Sequence, residues 1–150
     1  MRATFEGRRR EATAALTLLA VIGVIGLGYF GWREHVQSRS HALLAEALAT
    51  QEASVSQPGV PAVAGAYPNE RARTEAAVAK LKAAADAYPT TDAGIFARYQ
   101  QGATLMTLGN ASEAAVAYQD VIQRAGDNSI YGQMAKLGLA EAQARSGQFD

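Results

Sequence analysis

Cysteine is absent from the chain. That excludes disulfides, thiolate metal sites and a lipid-modified cysteine anchor. Histidine is scarce: His35 and His41 stand six residues apart, about 240° around a helix, so they do not share a metal as an i, i+4 pair does. They read as surface residues, and no metal ligand is expected. Neither charge is in excess, with 14 Lys+Arg against 14 Asp+Glu, which argues against a nucleic-acid partner. The G-x-S-x-G elbow, the H-E-x-x-H zinc motif and the Walker phosphate loop are all missing. The acidic residues are scattered, with no close pair for acid–base work. No catalytic residue, no cofactor and no small-molecule substrate are expected, and the chain is not read as an enzyme.

Charge is missing altogether from one stretch. Between Glu11 and Arg33, from Ala12 to Trp32, the sequence carries no charged residue. About 20 such residues, rising about 1.5 Å each as a helix, cover the ~30 Å hydrocarbon core of a bilayer. A helix satisfies its own backbone there. Tyr29, Phe30 and Trp32 crowd one end, where amphipathic rings favour the interface. Residues 12–32 therefore predict a single transmembrane anchor in contact with membrane lipid. A buried soluble helix would carry more polar residues on one face than Thr13 and Thr17 supply. A cleaved signal peptide would need a small-residue cleavage site after the run. None follows, because Tyr29 is too large for the position three before a cut at Gly31. Arg8-Arg9-Arg10 hints at a twin-arginine signal, but Glu11 follows rather than an apolar residue.

Gly26-Leu-Gly28-Tyr-Phe-Gly31 also matches G-x-G-x-x-G. A nucleotide-binding enzyme built on that motif is the competing reading from a different functional class. The fingerprint works only as strand, tight turn and helix. The apolar run before Gly26 is far longer than the 5–6 residues of an ordinary strand, and no second strand follows. Close packing against another membrane helix is the better use of these glycines.

Arg2, Arg8, Arg9 and Arg10 precede the span, against Glu6 and Glu11. Arginine bias of this kind predicts a cytoplasmic N-terminus. Residues 1–11 read as a basic cytoplasmic tail too short to fold, and residues 33–150 as a domain on the far side of the membrane. Past Arg33 the helical pattern runs to about Ser54, with Ala42, Leu44, Ala45 and Leu48 inward and Glu46 and Gln51 facing away. Residues 55–69 hold three prolines and two glycines and predict a loop, either mobile or a docking segment. It is longer than the 2–8 residues usual between paired helices.

Four amphipathic segments follow. Glu70–Tyr88 places Ala77, Leu81, Ala84, Ala85 and Tyr88 on one face, and Pro89 ends it. Asp92 reads as the N-cap of a helix over Ala93–Leu108, with Phe96, Tyr99, Ala103 and Met106 in one stripe and Gly102 and Leu105 beside it. Ala111–Ala125 turns Ala114, Ala115, Tyr118, Val121 and Ile122 inward. Ser129–Ser146 turns Tyr131, Met134, Ala135, Leu139 and Ala142 inward, before a turn at Gly147. The fold class is all-α.

The soluble part repeats. Gly109 and Gly147 are 38 residues apart, each seven residues after a small residue, Gly102 or Ala140. Ala77-x-x-x-Leu81-x-x-Ala84 matches Ala114-x-x-x-Tyr118-x-x-Val121 at an offset of 37. Each unit is two antiparallel helices and a turn, close-packed through small residues. This pattern resembles the tetratricopeptide repeat. Ala114 and Tyr118 keep that family's A-x-x-x-[FY] signature, with Val121 for the last alanine. Ala77, Leu81 and Ala84 keep both alanines and lose the aromatic, and Pro89 matches the repeat-ending proline. The chain departs from the family in lacking a Trp at the start of any first helix and in its longer period.

The layout as a whole resembles the ancillary subunit family of the Sec translocon: a basic start, a Gly-rich span ending Gly31-Trp32-Arg33, an Ala-rich helix, then repeats. The resemblance implies a single-pass inner-membrane protein with its repeats in the periplasm. Its partners would be translocon subunits, a periplasmic chaperone and secreted chains. An envelope-assembly or cell-division coordinator of the same repeat type is the related alternative. Family members carry more repeats, so the chain is expected to be a truncated sequence, with a further piece or another subunit covering Tyr131, Leu139 and Ala142. A non-enzymatic scaffold is expected, with Arg98, Gln101, Leu105, Lys136 and Gln143 as residues facing a partner from the first helices of the repeats.

Overall fold

The computed structural model describes residues 3–56 and 64–147, with side chains from Leu16 onward. Among the described residues there are five helices: α1 Ala3–Gln51, α2 Glu70–Ala87, α3 Asp92–Thr107, α4 Ala111–Ala125 and α5 Ile130–Ser146. Among the described residues there is no strand, and one isolated bridge joins Val55 to Tyr67. Two compact units divide at Val36, inside α1.

In the first unit the helix begins at Ala3, not after a structureless tail. Once the apolar span has nucleated a helix, extending it backward through Ala, Glu and Arg costs little. Apolar side chains from Leu16 to Trp32 point outward, with Leu27 at 77% exposure and Trp32 at 65%. Among the described residues, one helix is therefore long and apolar enough to cross a membrane, and none of its apolar window is covered by protein.

The second unit starts at Gln37. The last turns of α1 bury Ser40, Ala47 and Thr50, not Ala42 and Ala45, which are exposed. The expected face was rotated because it counted only apolar residues. Ser40 and Thr50 enter the interface by donating their hydroxyls to carbonyls of their own helix, Gln37 O at 2.8 Å and Glu46 O at 3.0 Å. Glu46 and Gln51 are also engaged: Glu46 pairs with Lys80 at 2.9 Å, and Gln51 Nε2 donates to Thr104 Oγ1 at 2.9 Å. The following loop is pinned at its base, since Ser56 N donates to Tyr67 O at 2.8 Å and Tyr67 N to Ser54 O at 2.9 Å. Residues 57–63, where the mobile or docking segment was expected, lie outside the described residues, as do 148–150.

α2 to α5 fold by short returns, each packing on its predecessor, and α3 also touches α5. Short connections of this kind set neighbouring helices side by side. Two cores result. Ala47, Leu81, Ala84, Ala85 and Ala97 join the end of α1 to α2 and α3. Ile95, Leu105, Ala114, Tyr118, Val121, Ala135 and Ala142 join α3, α4 and α5. Tyr88 is only half-buried, and Met134, expected inward, is exposed. Phe96, Tyr99, Ala103 and Met106 are half-buried, while α3 buries Ile95, Ala97, Gln101, Thr104 and Leu105 more deeply. A central helix flanked by α2 on one side and α4 and α5 on the other has no single inward stripe.

The starts of α3 and α5 are built alike. Thr91, not Asp92, caps α3: its Oγ1 accepts from Gly94 N at 3.1 Å and donates to Tyr88 O at 3.0 Å. Ser129 caps α5 in the same way, accepting from Gly132 N at 2.9 Å and donating to Gly126 O at 2.9 Å. The two caps are 38 residues apart, as are Gly94 and Gly132. A Cβ on either glycine would lie about 2 Å from the preceding turn's carbonyl oxygen, 1.8 Å from Tyr88 O or 2.1 Å from Gly126 O, so no other residue fits without a shift.

Candidate protein-binding surfaces

Tyr118 is the centre from which the surfaces are laid out. Its ring, 4% exposed, lies between Gly102 of α3 and Gly138 of α5. A Cβ on Gly102 would stand 2.9 Å from the ring, and one on Gly138 2.5 Å. Tyr99 tilts against the same ring at 5.7 Å between centroids. Burial pushes the Tyr118 phenol up to about 12. The glycines let α3 and α5 close on α4 across a flat aromatic.

Of the five expected partner-facing residues, the structure turns three into the protein, Leu105, Gln101 and most of Arg98. Leu105 is 2% exposed and belongs to the α3–α5 core, so it does not face a partner. Gln101 is 8% exposed, and its Oε1 accepts from Arg98 Nη1 at 2.8 Å. Arg98 itself is largely buried and ties three helices together. It bonds Asp86 of α2, and its Nε lies 2.9 Å from Asp120 Oδ2 of α4, within ion-pair range but off the hydrogen-bond direction. Asp120 also takes Arg124 at 2.7 Å. Hydrogen bonds from Lys82 and then Arg98 hold the Asp86 carboxyl below the ordinary carboxylate range. Arg98 and Gln101 share a face with Leu105 by spacing, and polar residues on a face suggest solvent. Here Arg98 is instead covered by neighbouring helices and paired with Asp86 and Asp120. Lys136 remains outside, paired with Asp127 at 3.3 Å. Gln143 is half-buried, and its carbonyl accepts from Gly147 N at the end of α5.

Two open clefts flank this network. One of about 450 Å³ is edged by Lys82, Gln101, Glu113, Val116 and Asp120. Val116 is exposed on its rim. The other, about 290 Å³, lies between Gln51, Arg73, Gln100 and Thr104. There Arg73 Nη1 donates to Ala53 O at 3.3 Å. Both are open depressions between helices rather than enclosed cavities.

A third surface was not foreseen. α5 exposes Ile130 and Leu137, each 76% open, together with Met134. Their i, i+4, i+7 spacing puts them on one face of the helix. Of the three, only Met134 was expected on a face, the inner one; Ile130 and Leu137 were assigned to neither face.

Gly26, Gly28 and Gly31 lie inside α1, and none has a positive φ. The turn that a dinucleotide fingerprint needs is not formed there. His35 and His41 are both exposed. Comparison with family models, curated proteins and solved structures returns no match, so the functional reading rests on these residues and their geometry.

Proposed function

We propose that this chain is a single-pass membrane scaffold whose helical repeats bind other proteins. The observation that carries the reading is the pairing of two kinds of surface in one chain. Apolar side chains of α1 from Leu16 to Trp32 are uncovered by protein. From Gln37 onward the helices share well-filled cores and present clefts and an apolar α5 face outward. Uncovered apolar area of the first kind is costly in water and favourable in lipid. Anchoring the repeats in the membrane plane raises their effective concentration for partners in the same plane.

The resemblance extends the proposal. The array is tetratricopeptide-like, the basic start stays cytoplasmic, and the repeats stand in the periplasm beside the inner membrane. The scaffold serves as an ancillary subunit of the Sec translocon, aiding hand-over to a periplasmic chaperone. The test is in-cell photocrosslinking from Leu27 in the span and Val116 on the cleft rim. Val116 is chosen because Gln101 is buried. The expected products are translocon subunits at Leu27, and a periplasmic chaperone or secreted chains at Val116. Products from cell-wall or cell-division machinery at both positions would keep the scaffold and discard the translocon.

A further inference from the structure

The larger cleft has an unused hydrogen-bond donor in its wall. The cleft, about 450 Å³, takes Lys82 from α2, Gln101 from α3, and Glu113, Val116, Ala117 and Asp120 from α4. Arg98 Nη1 donates to Gln101 Oε1 at 2.8 Å. A guanidinium only donates, so the amide oxygen must face it and the amide nitrogen turns the other way. That Nε2 carries two N–H groups and has no hydrogen-bond partner among the described residues, although Gln101 is only 8% exposed. Arg98 Nε is also buried without an aligned acceptor. The nearby acceptors are already engaged: Asp86 with Lys82 and Arg98, and Asp120 with Arg98 and Arg124. Buried donors left in this way are uncommon and costly.

We propose that this cleft binds a neutral carboxamide, the side-chain tip of a glutamine, as a free compound or within a peptide segment. The unused donor on Gln101 calls for an oxygen acceptor. A carboxylate would bring its charge beside Glu113 and Asp120, against one ammonium, Lys82, that already holds Asp86 at 2.5 Å. An amide carbonyl accepts the same hydrogen bond without that charge. Its own NH2 needs an acceptor in turn. Glu113 is exposed at the edge of the cleft, with no ion-pair partner among the described residues. Val116 and Ala117 offer apolar contact to the methylenes of a glutamine. A few polar groups that fix orientation, set beside apolar wall, are what a small polar ligand uses. Because Gln101 is deeply set, the tip of a side chain reaches it more readily than a backbone amide flanked by chain on both sides. Where the carboxamide belongs to a peptide, the inference rests on the scaffold reading; as a free compound it stands apart from it.

The test is a nuclear magnetic resonance titration of the isotope-labelled full chain in detergent micelles. The probes are N-acetylglutamine amide and N-acetylglutamate amide, which differ only in the side-chain tip. The Gln101 side-chain amide signal is identified as the one that Gln101→Glu removes. It is expected to shift saturably with the glutamine probe, and the glutamate probe is expected to bind at least about tenfold more weakly. Gln101→Glu keeps an oxygen toward Arg98 and replaces the free NH2 with a second oxygen, so the saturable shift of the Val116 backbone amide is expected to vanish. Glu113→Ala changes an exposed residue. It is expected to weaken the glutamine probe at least about fivefold and to leave the thermal melt nearly unchanged, which keeps the site testable if Gln101→Glu does not fold. An acetylated, amidated pentapeptide with one glutamine among alanines separates the two sources. Tighter binding than the single residue assigns the site to a peptide segment, and equal affinity assigns it to a free amide. No saturable shift at Gln101, a glutamate probe as good as the glutamine one, or binding indifferent to both variants would overturn the proposal. Retention in the membrane and capture at Leu27 do not depend on this cleft, so failure here is separable from failure of the scaffold reading.

Discussion

Tyr118 is the largest side chain among the buried hydrophobic residues of the second unit. It is held between two glycines, and both helices that carry them depend on its volume. Tyr118→Ala is expected to cost roughly 3–5 kcal/mol in denaturant unfolding, as buried aromatic truncations do. A loss under about 1 kcal/mol would mean the packing is wrong. Gly138→Ala is expected to cost about 1–3 kcal/mol through overpacking, and more than Gly102→Ala, because its Cβ would stand closer to the ring. The phenol adds a pH dependence. Its folded value is raised from about 10 to about 12, so the neutral form is favoured by folding. That stability is fully present below pH 10 and is lost as pH rises toward 12, by about 2–3 kcal/mol in total at about 1.4 kcal/mol per unit. Alkaline unfolding followed by circular dichroism checks it. Tyr118→Phe, which keeps the ring and removes the ionisation, is expected to unfold at higher pH than the native chain.

At the scale of the element, α3 and α5 share the same start 38 residues apart, and their outer faces differ in burial. Thr91→Ala and Ser129→Ala are each expected to cost about 1 kcal/mol of stability, the usual loss for a cap, while Asp92→Ala costs only a few tenths. Melting of the three variants separates Thr91 from Asp92 as the cap. The helices after the loop were legible in the sequence to within a residue or two because Pro89, Gly109, Gly126 and Gly147 punctuate them. Gly109, Gly126 and Gly147 adopt positive φ, which other residues rarely do. The cap itself was misplaced because Thr and Asp are both good caps and stand side by side. Burial was least legible in α3. A stripe search assumes one inward face, and α3 is covered on two sides. Arg98 and Gln101 therefore read as partner-facing, although Arg98 lies between Asp86 and Asp120 and its Nη1 donates to Gln101. Ser40 and Thr50 hid the inner face of α1 for a related reason. Their hydroxyls are bonded to their own helix, so they pack as small residues. Met134 and Leu137 stand on the face where α3 carries its internal stripe. Periodicity alone does not tell whether a second helix is present to cover such a face.

At the scale of the whole molecule, the charge-free run was legible from composition alone, because crossing a bilayer demands length and apolarity rather than a particular contact. Partner identity was not, since it depends on surfaces formed by residues distant in sequence, such as Lys82, Gln101 and Val116 around one cleft. The central claim is that α1 holds the repeats to a membrane. The most direct measurement is alkaline carbonate extraction of membranes containing the full chain, with its length read by mass spectrometry. Val21→Lys combined with Val24→Lys serves as the comparison, each lysine costing about 2.5–3.5 kcal/mol at the centre of a span. The account predicts that the native chain stays in the membrane pellet with its N-terminus intact and that the double variant moves to the soluble fraction. Release of the native chain into the soluble fraction, or its recovery cut after the apolar run, would contradict the anchor and the scaffold built on it.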